Sequence, residues 1–385
     1  MTVSYWQDRS GEQTLTCDTC VVGAGMVGAY TARCLVAAGE DVVLVEARHV
    51  AAGATGRNAG MVLTGLAAYY HEAVEQYGPD VAREVWQLTL ENRALMFGLA
   101  AEYGVPHEQN GSLVLALDGP EAAALERTAA ALAAEGLPGD FGHGDPTGRG
   151  FTAAIVQPGD GATHPARLAE ALVRAGGARL LENSEVFAIR PLGDGLEVRS
   201  RLAAIHCRRV ALCTNAYAPL LHPFFAGLVA PTRGQVFVTA PVAPRVLDRP
   251  GYADWGYEYF RQLPDGAFLL GGWRHHFRAE EIGYEDRVTP GVQAGLARFL
   301  ARYFPELADV PITHRWSGVM GFSPDHIPLV GLVPDLPGVG FAVGFTGHGM
   351  GWGLKTAERL VALLLHGTSP GILDARRLAT RPAAV

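Results

Sequence analysis

The stretch from Cys20 to Glu46, CVVGAGMVGAYTARCLVAAGEDVVLVE, constrains this chain more than any other. A short apolar run (Cys20, Val21, Val22) leads into the turn Gly23-Ala-Gly25-Met-Val-Gly28, and an Ala-rich helical pattern follows. Gly39 interrupts that pattern, and a second apolar run, Val42 to Val45, ends on Glu46, 18 residues after the last glycine of the turn. The spacing predicts a strand, glycine turn, helix, strand unit of the dinucleotide-binding kind. Gly23 makes the tight turn, Gly25 lets backbone approach a pyrophosphate, and Gly28 lets helix and strand pack closely. The helix from Met26 would aim its free N–H groups and positive dipole end at phosphate. Glu46 would accept from ribose hydroxyls, and an acid there disfavours a ribose 2′-phosphate, leaving FAD or NAD.

At 385 residues the chain is long enough for two domains with sizeable cores. A net charge of −8 with no basic cluster argues against nucleic acid or an anionic membrane as partner. Lys355 is the single lysine among 31 basic residues, which reads as a bias of composition. No stretch reaches membrane-spanning length, and the N-terminus lacks a basic-then-apolar leader pattern, so a cytoplasmic protein is expected. The five cysteines form no framework. Cys17 and Cys20 spell C-x-x-C, but no second pair stands at metal spacing and Cys20 falls on the first strand.

Residues 1 to 16 read as a polar surface extension anchored by Tyr5 and Trp6. The loop Gly53-Ala-Thr-Gly56-Arg57-Asn58-Ala-Gly60 is poor in side chains beside a nucleotide site, which suggests close backbone approach to a ligand. Helices are expected over 71–103 and 120–135, a strand at Leu113 to Leu117, and an exposed loop from Gly136 to Gly150. Beyond Phe151 come a strand at Ala153 to Val156 and a helix opened by Thr163-His-Pro165. Strands follow at 185–190 and 196–201, then Arg209 to Cys213, which runs into Thr214-Asn215-Ala216. Val236 to Thr239, with a hairpin of 257–261 and 268–272 around Pro264-Asp265-Gly266, reads as a largely antiparallel layer. The last strand, Gly340 to Phe345, enters Gly347-His348-Gly349 and a helix from Met350 to about His366. That repeats the opening physics of a glycine turn presenting a helix N-terminus.

Taken together, the fingerprint ending in Glu46, the GATGRNAG loop, TRGQ, the WSG…FSPD…PLVG run and the GHG helix resemble the D-amino-acid oxidase family of FAD-dependent oxidoreductases. This is the group of glycine oxidase, sarcosine oxidase and gamma-glutamylputrescine oxidoreductase. The likeness covers nearly the whole chain, and the SYW start, Arg57-Asn58 and Thr214-Asn215-Ala216-Tyr217 look closest to the last branch. The resemblance implies an α/β fold, a Rossmann-like FAD-binding domain interleaved with a mainly antiparallel substrate domain. The expected division is 1–70, 150–220 and 322–385 for FAD against 71–149 and 221–321 for substrate.

It further implies a cofactor site of Gly23, Gly25, Met26, Val27, Gly28, Glu46, Ala47, Arg57, Asn58, Ala59, Val186, Thr214, Asn215, Gly318, Gly347, His348, Gly349 and Met350. The implied chemistry is oxidation of an amine or amino-acid C–N bond: hydride passes to flavin, and the imine formed is hydrolysed. Tyr257, Tyr259 and Arg274 are expected to face substrate, with core packing as the other reading of the aromatics. His348 is either chemical or a bystander between two functional glycines. His275 and His276 would bind metal only with a third ligand, so no metal is expected.

Departures from the family pattern refine these expectations. Positions that carry covalent-flavin Cys or His elsewhere read as Gly318 and Arg57, so the FAD is expected to be non-covalent. No lysine stands on the strand matching Phe268 to Leu270, which leaves O2 or another electron acceptor, oxidase or dehydrogenase, open. The family's carboxylate clamps, an Arg in W-x-G-x-R and a Lys after GHG, read as Met320 and Gly351. A secondary or terminal amine is therefore expected rather than a small free amino acid, unless Arg57, Arg261 or Arg274 replaces the clamp. The alternatives are glycine or D-amino-acid oxidation, a dinucleotide enzyme of other chemistry such as a hydroxy-acid dehydrogenase, and a non-catalytic flavin-binding assembly protein.

Overall fold

Apolar runs that are hydrophobic on both faces belong inside a parallel sheet covered on two sides, and the first strand behaves that way. In the computed structural model, which describes residues 4–8, 11 and 13–378, Thr14–Val22 is buried on both faces from Thr19 onward. It pairs in parallel with Val42–Val45 on one edge and Ala204–Leu212 on the other, in the register Val21↔Leu44 and Val22↔Leu212. Arg179–Leu181 extends the sheet beyond Val42–Val45, and Val339–Val343 joins the far end of Ala204–Leu212, both in parallel. An antiparallel flap of Val186–Leu192 and Gly195–Ser200 lies outside Ala204–Leu212.

One face of this sheet is covered by three helices. Met26–Ala37 lies between Pro165–Gly176 and Gly349–His366, and Pro79–Glu102 packs on the last of these. Leu35, Trp86, Met96, Leu168, Leu172, Trp352 and Leu360 fill the interior they share. Cys20, Val43, Ile205, Phe225 and Phe341 fill the opposite face.

The second sheet runs Ile312–Phe322, Ala230–Thr239, Phe268–Gly271, Glu258–Gln262, Gly251–Ala253, Ser112–Ala116, Ala153–Gln157, Asp140–His143. Every neighbouring pair is antiparallel except Gly251–Ala253 with Ser112–Ala116. Phe237, Phe260, Phe268, Phe299 and Phe304 pack between it and the helix Pro290–Tyr303. A small sheet of Met61–Val62, Gly161–Thr163 and His107–Glu108 joins the layers.

Several local expectations change. The expected loop from Gly136 to Gly150 contains the strand Asp140–His143, an exposed edge whose Gly and His give little strand signal. Tyr5 and Trp6 do not anchor the N-terminal extension: they are 84 % and 88 % exposed and touch edge to face. Thr14 to Thr16 already belong to the first strand, while residues 1–3, 9, 10, 12 and 379–385 lie outside the described residues. Ala153–Gln157 sits in the second sheet, and Pro79–Glu102 packs on Gly349–His366, each across the division expected from sequence. Cys17 and Cys20 lie in the same buried cluster, because Asp18 N–H and Thr19 N–H both donate to the Asp41 carbonyl and shift the alternation between them. The Cys17 thiol approaches Cys207, its register partner, and all five cysteines are free.

Candidate functional site

The glycine turn is tight enough that side chains are excluded by contact. A Cβ on Gly28 would lie 1.8 Å from the Gly23 carbonyl oxygen, and Gly23 itself has φ +99° against the Cys213 carbonyl. Gly25 leads into the helix without a side-chain cap of its own, and the Met26 N–H donates to Thr55 Oγ1 at 2.9 Å. Glu46 is held from both sides: Ala24 N–H donates to Oε2 at 2.9 Å and Arg48 N–H to Oε1 at 3.0 Å. The acid is thus fixed at the mouth of the turn with acceptor capacity to spare. Ala47 follows it on the surface, Val186 begins its strand nearby, and Val27 packs against Gly353 of the C-terminal helix.

The glycine loop forms the short helix Ala54–Arg57. Asn58 spends its side chain holding that loop, donating to the Ala54 and Thr55 carbonyls and accepting from Gly60 N–H at 2.6 Å. Arg57, expected as a ligand contact, is engaged elsewhere. Its guanidinium pairs with Asp286 at 2.8 Å and donates to the Ser317 carbonyl, while its own carbonyl accepts from Trp316 Nε1. Gly318 sits directly over Arg57, where a Cβ would come 3.0 Å from the Arg57 Cβ. Ala59 is buried, and its carbonyl faces the Arg261 guanidinium at 3.3 Å.

The second approach comes from the strand ends. Thr214 Oγ1 is buried without a hydrogen-bond partner among the described residues, beside Gly23. Asn215 adopts φ +45° and its Oδ1 accepts from Gly344 N–H at 3.0 Å, tying this strand end to the one that carries Gly347-His348-Gly349. The helix Gly349–His366 starts with no side-chain cap, so its first turn keeps donors for a ligand. Gly349 is open: its nearest neighbour to an added Cβ is Phe345 at 3.6 Å. Sequence reasoning missed the residue that shapes this turn. Asn92, buried on Pro79–Glu102, donates to the Met350 carbonyl and accepts from Leu354 N–H, both at 2.9 Å. Its sequence signal is only a polar residue on an apolar helical face.

Between the two sheets, the strand Ile312–Phe322 turns Trp316, Gly318, Met320 and Phe322 to one half-buried face. Met320 lies between Gly234 and Gly347: its Sδ would be 3.4 Å from a Cβ on Gly347, and its Cε 3.1 Å from one on Gly234. The Tyr259 hydroxyl flanks the same point, and Tyr252 stands edge-on to Tyr259 at 6.2 Å and 5.9 Å from the His348 ring. Burial pushes Tyr259 up to about 12 and His348 down to about 4, so both are neutral near pH 7. The His348 ring has no hydrogen-bond partner among the described residues. Gly351 has no room for a lysine, because a Cβ there would meet the Leu63 carbonyl at 2.7 Å. Arg274 rests on the Tyr257 and Phe322 rings at 5.1 and 4.9 Å.

Beside it, buried Glu258 accepts from Trp273 N–H, and burial with nearby Asp254 raises its carboxyl to about 9. Asp254, His275 and His276 bring one ligand atom each within 4.8 Å of one another, supplying the third group the histidine pair lacked. Within that group Asp254 Oδ2 lies 3.1 Å from His275 Nε2.

The residues fit a flavin dinucleotide: an oriented acid for ribose, a turn closed to any Cβ, an orphaned hydroxyl at Thr214 and an uncapped helix beyond it. The comparisons with known proteins agree. Residues 18–363 match the family model described as FAD dependent oxidoreductase. Gamma-glutamylputrescine oxidoreductase of Escherichia coli (strain K12) is 28 % identical over 373 residues, covering 92 % of this chain and 85 % of that protein. Glycine oxidase of Pseudomonas aeruginosa is 29 % identical over 376 residues, covering 92 % and 96 %. The crystal structure of L-proline dehydrogenase from P. horikoshii superposes with a TM-score of 0.81 at 23 % identity, covering 95 % and 98 %, which establishes the shared fold. No helix among the described residues is long and apolar enough to cross a membrane. With fold, turn chemistry and family model in agreement over nearly its full length, this chain belongs to the D-amino-acid oxidase family of FAD-dependent oxidoreductases.

Proposed function

We propose that this oxidoreductase oxidises the C–N bond of a secondary or terminal amine on a molecule larger than a free amino acid, with non-covalent FAD, in the cytosol. The observation that carries this reading is Met320, a thioether set between Gly234 and Gly347 where a small amino acid would need a cation for its carboxylate. Gly351, closed by the Leu63 carbonyl, offers no replacement, and neutral His348 adds no charge. When bound, FAD supplies the hydride acceptor. The chain's part is orientation and exclusion of water: Tyr252, Tyr259 and Met320 present an apolar, uncharged wall in which a neutral amine is not penalised. O2 or another acceptor then reoxidises the cofactor.

The branch with gamma-glutamylputrescine oxidoreductase supports an amine-bearing substrate, and glycine oxidase keeps the small amino acids as the comparison to beat. The test is anaerobic bleaching of the holoenzyme by gamma-glutamyl and N-alkyl amines against glycine, sarcosine and D-alanine. The larger amines should be at least tenfold more efficient. A tenfold advantage for the small amino acids would overturn the reading, and bleaching by hydroxy acids alone would remove amine chemistry altogether.

A further inference from the structure

Arginines around the space between the two sheets are nearly all committed. Arg57 pairs with Asp286, Arg233 with Glu281, and Arg315 donates to Gln293. Arg261 faces the backbone carbonyls of Ala59, Gly60 and Thr163, and Arg278 donates to the Tyr257 hydroxyl. Arg274 is different: among the described residues its guanidinium has no hydrogen-bond or ion-pair partner. It rests on the ring faces of Tyr257 and Phe322, at 5.1 and 4.9 Å. Aromatic faces hold a guanidinium plane without using its N–H groups, so the donor fork stays available.

The placement is built rather than incidental. Trp273, just before Arg274, holds a left-handed φ of +61°, a conformation that costs a bulky residue energy. Its N–H is fixed on Glu258 at 3.0 Å, and its indole occupies space left by Gly295, where a Cβ would come 2.0 Å from Nε1. The nearest buried carboxyl does not neutralise the arginine, because Glu258 is protonated near pH 7. A half-buried cation with no counter-charge among the described residues calls for one from a ligand.

Resting on the amine reading above, we propose that Arg274 is an anion-binding subsite that takes a carboxylate carried some distance from the oxidised amine. The distance follows from the strand. Phe322 stands two residues beyond Met320 on the same face, about 7 Å along it. That length corresponds to about six bonds of extended chain between the end gripped by Arg274 and the end beside Met320. The ligand class is an ω-amino carboxylate or an amine capped by an acidic residue. Bidentate guanidinium–carboxylate pairing would supply about ten- to a hundredfold in binding.

The experiment uses holoenzyme and two matched probes, 6-aminohexanoate and hexylamine, with adipate titrated separately through its perturbation of flavin absorbance. Wild type should favour 6-aminohexanoate by tenfold or more in reduction efficiency and bind adipate saturably. Arg274→Met should abolish that preference and weaken adipate at least tenfold. Arg274→Lys, which keeps charge but loses the fork, should fall between and guards against a folding defect in the first variant. Equal adipate affinity in wild type and Arg274→Met, no adipate binding by wild type, or no preference between the probes would overturn the subsite. If neither amine bleaches the flavin, the amine reading fails instead, while the adipate titration still decides Arg274.

Discussion

Asn92 bridges Met350 and Leu354, one helical turn apart, with the two ends of its side-chain amide. Its Nδ2 donates to the Met350 carbonyl and its Oδ1 accepts from the Leu354 N–H, each at 2.9 Å, and Lys355 N–H approaches the same oxygen at 3.3 Å. A buried amide thus braces the first turn of the helix that follows Gly347-His348-Gly349 against Pro79–Glu102.

Asn92→Leu should therefore strip two or three buried backbone groups of their partner and destabilise the protein by about 2–4 kcal/mol in urea unfolding. Asn92→Asp keeps the acceptor, loses the donor and should place a charge in a site of 0 % exposure, at a cost at least as large. A loss under 0.5 kcal/mol in both would show that the Asn92 bridge contributes little to holding this helix in place.

Two glycine substitutions should separate folding from cofactor binding. Gly28→Ala drives a methyl into the Gly23 carbonyl at 1.8 Å and should disrupt the turn itself, lowering the melting temperature of apoprotein and holoprotein alike. Gly349→Val meets only Phe345 at 3.6 Å, so the apoprotein should melt within about 3 °C of wild type while FAD affinity drops tenfold or more. Unchanged FAD affinity in Gly349→Val would remove this helix end from the cofactor site.

Glu258 sets a pH dependence whose sign is opposite to that of a salt-bridged acid. Its carboxyl is raised to about 9 by burial and by Asp254, from an ordinary value near 4.5. Between those values the unfolded chain ionises and the folded one does not. The contribution is complete below pH 4.5 and declines toward pH 9, by at most about 1.4 kcal/mol per pH unit. Glu258→Gln, which mimics the protonated acid, should flatten that decline, so its stability relative to wild type should rise steadily from pH 5 to pH 9. A constant difference across that range would show Glu258 to be ionised in the folded state.

Acid precipitation of the holoenzyme should release the FAD. Gly318 and Arg57, which face each other across the glycine loop, offer neither thiol nor imidazole for a covalent link. Yellow colour should appear in the supernatant, and colour retained by the pellet would identify a linkage through another residue.

The fingerprint was legible because its logic is local. Gly23, Gly28 and Glu46 lie within one supersecondary unit, and each acts on backbone a few residues away. The hairpin around Pro264-Asp265-Gly266 was legible for the same reason. The ties of Arg57 to Asp286, 229 residues later, and of Asn92 to Met350, 258 residues later, leave no mark in spacing or periodicity. Neither does the isolation of Arg274, which depends on where the other carboxylates went. The strand Asp140–His143 was missed because an exposed edge makes no demand for apolar alternation.

The pairing of Thr14–Val22 with Ala204–Leu212 also bears on synthesis. Thr14 pairs with Ala204, so about 190 residues must be translated before the second edge of the central strand finds its partner. At about 5–20 residues per second, that edge waits roughly 10–40 s after it emerges, as an apolar template open to other chains. Shielding on the ribosome, or the speed with which residues 204–212 arrive, is therefore a demand that this register places on synthesis, separate from the stability of the finished sheet.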